Sequence, residues 1–363
     1  MSKKQRVIVG MSGGVDSSVT AAMLLEQDYD VIGMTMQLLP KEEEKVSMCC
    51  NLGAINDAKR VCQKLGIPHY TINSRDNFQK RVIDPFINQY AIGQTPNPCV
   101  ECNRYIKFDE LWAQAATLDA DFIATGHYSQ IIYDEATDRY SLKMAQDPSK
   151  DQSYFLYMMT QDQLKRTLFP LGGFLKTEIR AKAEALSMVN ANKPDSQEIC
   201  FVSSKSYKDF VKKHIPDPMR VPGTIQDTEG TILAEHEGIY GFTIGQRKGL
   251  NVSAAHPLYV LSIDPKTNVV TVGPKGALQS SNISCHTFTL INPDEAIAGT
   301  QFEIKSRYQM KPFTGTLVDH NPEEGTVTIE ALTPQETNAP GQSCVLYQGG
   351  RLVGGGIISP TRS

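Results

Sequence analysis

The sequence predicts an α/β protein: a parallel-sheet domain over residues 1–205, a β-rich linking domain over 206–278 and a C-terminal β-barrel over 279–363. Three observations predict it. Strand-like and helix-like segments alternate as far as about residue 200. Short β-prone pieces broken by Gly and Pro then take over, and a second division falls near residues 275–285. Alternation of the first kind is the sequence pattern of a parallel sheet covered by helices, and such sheets bind ligands beyond the carboxyl ends of their strands.

In order along the chain, Val7 to Met11 is a short buried strand. Ser17 to Gln27 follows as a helix with Val19, Ala22, Met23 and Leu25 on its apolar side. Tyr29 to Met36 is a second strand, and Asn51 to Leu65 a helix closed by Gly66-Ile67-Pro68, a stop that precedes the strand His69 to Asn73. Phe78 to Tyr90 and Tyr105 to Leu118 are expected to be helical, and Asp121 to Thr125 extended. Ser203 to His214 reads as a short basic helix. After Pro216, Pro218 and Pro222 the β-prone pieces are Thr231–Leu233, Leu258–Ile263, Val269–Val272, Gln301–Tyr308, Thr326–Leu332 and Ser343–Tyr347.

The 363 residues carry 36 basic and 40 acidic side chains, a net charge of -4. That excludes a uniformly basic coat for nucleic acid but not a local basic groove. No run approaches the ~18 apolar residues of a membrane helix, and Val7 to Met11 is too short for a secretory signal. The expectation is a cytoplasmic protein that partners no membrane and acts as a monomer. Eight cysteines are too sparse for a disulfide scaffold in a chain of this length.

The sharpest chemical signal is Gly10-Met11-Ser12-Gly13-Gly14-Val15-Asp16-Ser17-Ser18, between the first strand and first helix. Adjacent glycines let several backbone N–H groups converge on an oxyanion, and a helix start favours phosphate. The alternative is a Gly-Ser turn that merely caps the helix. Without Lys it is no GxxxxGK[ST] loop, and it lacks the G-x-G-x-x-G spacing.

Ser12-Gly13-Gly14-Val15-Asp16-Ser17 resembles the SGGxDS loop of the PP-loop ATP pyrophosphatases, whose fold is the adenine nucleotide alpha hydrolase type. Further segments narrow the resemblance to the bacterial tRNA-specific 2-thiouridylases: Thr95 to Phe108 around Cys102, Ala124-Thr125-Gly126-His127-Tyr128, Lys150 to Leu156, Asp195 to Phe201 around Cys200, Gly238 to Leu250, and Arg307-Tyr308. They occur in order from residue 7 to beyond 350. The resemblance implies an ATP-dependent 2-thiolation of the wobble uridine, position 34, in tRNA for Lys, Glu and Gln.

It also implies roles for individual residues. Gly10, Met11, Ser12, Gly13, Gly14, Val15, Asp16, Ser17, Met36 and Gly126 would bind ATP, with Asp16 an organiser of Mg²⁺ that arrives with the nucleotide. Asn97, Pro98 and Cys99 would line the target base. His127, Lys150, Asp151, Gln152, Arg307, Tyr308 and Gln342 would meet tRNA, a packed neutral histidine being the alternative at His127. Lys205, Lys208, Lys212, Lys213, Arg247 and Lys248 are further basic candidates. Cys200 would carry a persulfide, supplied by a cysteine desulfurase or a sulfur-relay protein, and Cys102 would resolve it. The chemistry fits a pair of thiols. A carbonyl oxygen must become a leaving group, sulfur must be delivered, and a second thiol must break the S–S bond by exchange. Asn103 and Arg104 are expected to give Cys102 a thiolate-favouring setting. Two other readings stay open: an iron–sulfur cluster on Cys99, Cys102 and Cys200, and a PP-loop ligase acting on a small molecule. Cys62, Cys285 and Cys344 read as packing residues, and Cys49-Cys50 precedes a helix.

Overall fold

Strand β1 (Arg6–Gly10) is apolar between its ends, and Val7, Ile8 and Val9 are wholly buried, as a strand covered on both faces must be. Gly13-Gly14 breaks the strand and α1 (Val15–Glu26) follows, then β2 (Asp30–Gln37). Next come α2 (Leu52–Leu65) and β3 (His69–Asn73), separated by Gly66 at φ +71. The following helix is α3 (Arg75–Phe78), a π-helical stretch Gln79–Ile83 and α4 (Asp84–Ala91). A second π-helical run, Cys102–Phe108, links the single turn α5 (Pro98–Glu101) to α6 (Asp109–Thr117). Strand β4 (Phe122–Ala124), the hairpin β5 (Ser129–Asp134) and β6 (Arg139–Met144), α7 (Gln161–Lys165), β7 (Thr167–Leu168) and α8 (Lys176–Ala185) complete this part.

The computed structural model describes residues 3–39, 52–195, 199–202, 206–293, 297–336 and 339–360. It divides into two units. The first comprises Met1–Val82, Cys99–Ser203 and Gly350–Leu352, the second Ile83–Pro98, Ser204–Gly349 and Val353–Ser363.

In the first unit the sheet order is β3-β2-β1-β4-β7, with every pairing parallel. Because β1 is flanked by β2 and β4, the order reverses at its carboxyl end, which is where such sheets bind ligands. The glycine loop lies there. Helix α1 is buried nearly all round, and Val19 and Leu24 share a core with Val7, Val9, Ala58, Val61 and Ile179. Its expected one-sided pattern is too weak because neighbours cover more than one face. The hairpin β5–β6 went unforeseen; β6 also pairs with Arg351 and Leu352, an association no local pattern announces.

In the second unit, α9 (Tyr207–His214) carries the expected basic residues. Strands β8 (Gly223–Gln226), β9 (Ile232–His236), β10 (Tyr259–Asp264) and β11 (Val269–Gly273) form a sheet ordered β10-β11-β8-β9. The rest is a barrel of β12 (Ser280–Leu290), β13 (Gln301–Lys305), β14 (Phe313–Asn321), β15 (Thr326–Gln335), β16 (Ser343–Gln348) and β17 (Arg351–Ile358). The order β12-β15-β14-β13-β16-β17 closes by pairing β17 with β12. The α/β-then-β architecture expected from sequence is the one observed. Gly354 explains how β17 hides in a glycine-rich stretch: a Cβ there would sit 2.3 Å from the Thr289 carbonyl oxygen. Close strand approach, not a turn, selects that glycine.

Candidate active site

The glycine loop is anchored at its first residue. The Met11 N–H donates to the Met34 carbonyl at 2.7 Å, and the Thr35 hydroxyl donates to the Met11 carbonyl at 2.8 Å. Gly13 must be glycine for two reasons: its φ is +72, and a Cβ would lie 2.2 Å from the Ala54 carbonyl oxygen. The carbonyls around the turn are satisfied within the chain. Asn190 and Lys193 donate to the Gly13 carbonyl at 3.1 and 3.2 Å, while the Ser17 and Ser18 hydroxyls donate to that of Gly14. No side chain of Gly14 caps α1. The orphan N–H groups of the first turn and the positive end of the helix make a seat for an anion. Met36, half-buried on the carboxyl half of β2, lies at the same sheet end. Gly126 serves the loop from the other side: a Cβ would come within 2.9 Å of the Asp16 carbonyl carbon and the Ser17 nitrogen. That glycine is required for packing against the loop backbone.

Asp16 is held by a buried cation that sequence reasoning missed. Lys176 Nζ donates to both carboxylate oxygens of Asp16 at 2.7 and 2.8 Å and pairs with Asp195 at 2.8 Å. The Tyr128 hydroxyl also donates to Asp16, at 2.9 Å. Asp195 receives Lys150 at 2.7 Å and Arg180 at 2.9 Å as well. Burial would raise the Asp195 pKa, but the hydrogen bonds from Lys150 and Lys176 prevail and hold it below the usual carboxylate value. Lys176 opens α8, where a cation is disfavoured by the helix dipole. Its placement is therefore set by the two carboxylates. The only forewarning in sequence was the resemblance at Asp16 and Asp195 themselves.

Several expected tRNA contacts are turned inward. Asp151 is buried and accepts from the N–H groups of Ala145 and Ser153 and from the Ser153 hydroxyl. Gln152 Oε1 accepts from the Tyr128 N–H at 3.0 Å, and its own N–H donates back to the Tyr128 carbonyl. Lys150 spends its ammonium on Asp195. These three residues shape the ground beneath Asp16, because each is bonded to Tyr128, to Asp195 or to its own turn. His127 is likewise the packed neutral histidine. It is buried, stacked on Phe108 and edge-on to Phe169, and burial followed by the charge of Lys107 lowers its pKa well below the ordinary value.

In the second unit, Arg307 and Tyr308 are half-buried in the turn between β13 and β14. Gln342 is partly buried and donates to the carbonyls of Thr95 and Pro96 at 2.9 and 3.4 Å. Beside it, the Thr95 N–H donates to the Pro340 carbonyl at 2.8 Å. Gln342 thus fixes the strand of chain that runs into Asn97, Pro98 and Cys99. Lys208 lies over the Phe242 ring and Lys212 is paired with Glu237, whereas Arg247 and Lys248 are exposed. Lys205, Cys49, Cys50 and residues 196–198 of the second cysteine segment lie outside the described residues.

The cysteines divide as their surroundings dictate. Cys62, Cys285 and Cys344 are buried, and burial pushes the Cys62 thiol up to about 11. Cys99 is exposed, Cys102 and Cys200 are partly so, and none of the three is in a disulfide. Cys102 and Cys200, 98 positions apart in sequence, come near enough to interact. Burial pushes the Cys102 thiol up to about 12, Lys107 opposes that, and the thiols of Cys200 and Cys99 and the Glu110 carboxylate raise it further. The expected thiolate setting from Arg104 is not what is found: Arg104 lies over the Tyr105 ring at 4.8 Å, and desolvation outweighs the one effective cation, Lys107. Asn103, next in the chain, donates to the Phe155 carbonyl at 3.1 Å and leaves its buried Oδ1 without a partner.

Among the described residues no group of three His, Cys, Asp or Glu side chains is arranged to hold a metal ion. Cys99, Cys102 and Cys200 are thus not gathered as the ligands of an iron–sulfur cluster, and both carboxylate oxygens of Asp16 are engaged by Lys176. No helix among the described residues is long and apolar enough to cross a membrane.

The chain matches three family models: a tRNA methyl transferase HUP domain over residues 5–204, a tRNA methyl transferase PRC-barrel domain over 208–274 and an aminomethyltransferase beta-barrel domain over 280–358. It is 47% identical over 357 residues to the tRNA-specific 2-thiouridylase MnmA of Heliobacterium modesticaldum, covering 98% of this chain and 92% of that protein. With the protein of the same name from Acetivibrio thermocellus it shares 45% over 362 residues, 99% of this chain and 100% of the other. A 4-thiouridine synthetase in complex with RNA and ATP aligns at a TM-score of 0.36 and 19% identity, covering 59% of this chain and 51% of that one. Near-complete coverage on both sides at this identity places the chain in the family of tRNA-specific 2-thiouridylases.

Proposed function

We propose that this protein uses ATP to replace the C2 oxygen of the wobble uridine, position 34, with sulfur in tRNA for Lys, Glu and Gln. The observation that carries the reading is the approach of Cys102 and Cys200 to one another within the unit that holds the glycine loop. A small-molecule ligase has no use for such a pair.

ATP would place its phosphates on the first turn of α1, with Mg²⁺ travelling on the nucleotide and Met36 against the adenine. The uridine C2 oxygen attacks the α-phosphorus, pyrophosphate leaves, and the oxygen becomes part of a good leaving group, AMP. Cys200 carries sulfur as a persulfide from a cysteine desulfurase or relay protein. The terminal sulfur bonds to C2 and AMP departs with the C–O electron pair. Cys102, as thiolate, attacks Cys200 Sγ; the S–S bond to the transferred sulfur breaks, its electron pair staying on the sulfur that becomes the thiocarbonyl. A Cys102–Cys200 disulfide remains, which a cellular dithiol must reduce before the next turnover. The target base must leave its stack to reach both centres, with Asn97, Pro98 and Cys99 alongside it. Arg307, Tyr308, Arg247 and Lys248 are the tRNA contacts this reading favours, a basic and aromatic set suited to a loop. The division into domains at 1–205, 206–278 and 279–363, action as a monomer and a cytoplasmic location belong to the same proposal.

The test is nucleoside mass spectrometry of unmodified tRNA for Glu after anaerobic incubation with protein, ATP-Mg²⁺ and a persulfide donor. ATP-dependent 2-thiouridine at position 34, lost in Cys102→Ser and in Cys200→Ser, is the expected result. Product that requires added iron would overturn the persulfide route. No thiolated nucleoside at all would overturn the substrate.

A further inference from the structure

Cys102 and Lys107 both belong to the π-helical run Cys102–Phe108. In an α-helix a residue five positions on is rotated by roughly 140° from its starting face. A π-helix bonds i to i+5, so the fifth residue returns beneath the first. The irregular helix therefore brings an ammonium back to the face that bears the thiol, and π-turns of this kind are concentrated at functional positions.

The ammonium is then tethered. Lys107 Nζ lies 3.4 Å from His127 Nε2, and His127 Nδ1 is 2.7 Å from the Thr125 hydroxyl. With a neutral, buried imidazole, Nε2 accepts from Lys107 and the Nδ1 hydrogen goes to Thr125 Oγ1. Phe108 and Phe169 fix the ring, and Thr125 follows directly on β4, with its N–H donating to the Leu168 carbonyl. A rigid strand end thus holds the lysine through one histidine, and nothing in the proposed chemistry has so far used either.

We propose that Lys107 is the positioning cation of Cys102, returned to the thiol by the π-helical register, held there by His127 and Thr125, and needed to stabilise the thiolate that attacks the Cys200 persulfide. It forms no bond to sulfur. Among the described residues, the other charged or titratable groups that act on the Cys102 thiol are Cys200, Cys99 and Glu110, and all three disfavour the thiolate, whereas Lys107 favours it. Burial costs the anion most, so the cation matters more here than on a surface. This inference rests on the role proposed for Cys102.

The test is site-resolved iodoacetamide alkylation of Cys102 in the full-length protein between pH 7 and 10, read by peptide fragmentation, with Cys200 as an internal reference. Below the thiol pKa the rate follows the thiolate fraction, tenfold per unit, and a nearby opposite charge is worth about one to three units. Lys107→Met should slow Cys102 at pH 8 by about tenfold or more and leave Cys200 unchanged. Lys107→Arg should restore most of the rate, and the pH profile of thiolation should move to the alkaline side in Lys107→Met alone. Should Lys107→Met not fold, Lys107→Gln carries the same comparison. Equal Cys102 rates in the wild type and in a folded, uncharged variant would overturn the proposal, as would an equal slowing at Cys200. The alkylation needs neither tRNA nor ATP, so its outcome is separate from that of the nucleoside assay.

Discussion

Replacing Lys176 by Met removes one ammonium and leaves two carboxylates, but the two losses differ. Asp195 keeps Lys150 and Arg180, each within hydrogen-bond distance, so its deficit is small. Asp16 keeps only the Tyr128 hydroxyl. The Lys176 side chain is 8% exposed and that of Asp16 31%, so the pair is neither a surface pair, worth about 0–1 kcal/mol, nor a fully buried one, whose breaking costs about 3–5 kcal/mol. The low end of the buried range, about 3 kcal/mol, follows. The chain's single tryptophan, Trp112, belongs to the unit that contains both residues, so urea unfolding followed by its fluorescence reads the right transition. Asp16→Asn alone should also destabilise, since it strips Lys176 of a partner. In the Lys176→Met background it should instead be neutral or stabilising, because it removes the stranded charge. A loss under about 0.5 kcal/mol for Lys176→Met, or equal costs for Asp16→Asn in both backgrounds, would refute the reasoning.

Other expectations follow from the same geometry. Gly13→Ala should abolish ATP binding by calorimetry, since its φ and the Ala54 carbonyl both forbid a Cβ; Gly126→Ala, which presses on the loop backbone from 2.9 Å, should weaken ATP at least tenfold if ~1.4 kcal/mol of the clash persists in the bound state. Asp195, whose pKa is held low in the folded chain, contributes stability that is present above the ordinary carboxylate pKa of about 4 and lost as pH falls through the lower folded value. Asp195→Asn should therefore flatten the acid limb of the Trp112 stability profile. Gln342→Ala removes two hydrogen bonds to Thr95 and Pro96, and should speed amide hydrogen exchange across residues 92–98 while leaving the barrel strands unchanged. At pH 7.5, Cys99 should be alkylated in the native protein, whereas Cys62, Cys285 and Cys344 should react only after unfolding.

What could be read from sequence was what short-range chemistry dictates. His69–Asn73 matched residue for residue because Gly66 and Pro68 punctuate its start, and the glycine loop was legible because two adjacent glycines have few other uses. The missed features depend on distant partners. Lys176 meets Asp16 across 160 residues, and nothing in Leu175-Lys176-Thr177 marks it. Strand β5 of the β5–β6 hairpin runs from buried Ser129 through half-buried Gln130 and Ile131 to exposed Ile132, Tyr133 and Asp134, with no alternation to mark it. The Lys150-Asp151-Gln152 segment faces RNA on the family resemblance, which carries no information on its internal partners. Within the chain these side chains also satisfy the Ala145 N–H, the Tyr128 backbone and Asp195. Asn103 and Arg104 are the sequence neighbours expected to favour the Cys102 thiolate, whereas Lys107 reaches its face only through the π-helical register, which no local pattern announces.

The central claim is that Cys200 delivers sulfur to the base and Cys102 releases it by forming a disulfide with Cys200, and a single turnover tests it most directly. Protein loaded with persulfide at Cys200 is mixed with ATP-Mg²⁺ and unmodified tRNA for Glu, quenched with an alkylating agent, and its peptides are mapped by mass spectrometry. The account requires a Cys102–Cys200 disulfide that appears with 2-thiouridine in equal amount and is absent when ATP is withheld. Thiolated tRNA accompanied by two alkylated, unlinked cysteines would contradict it.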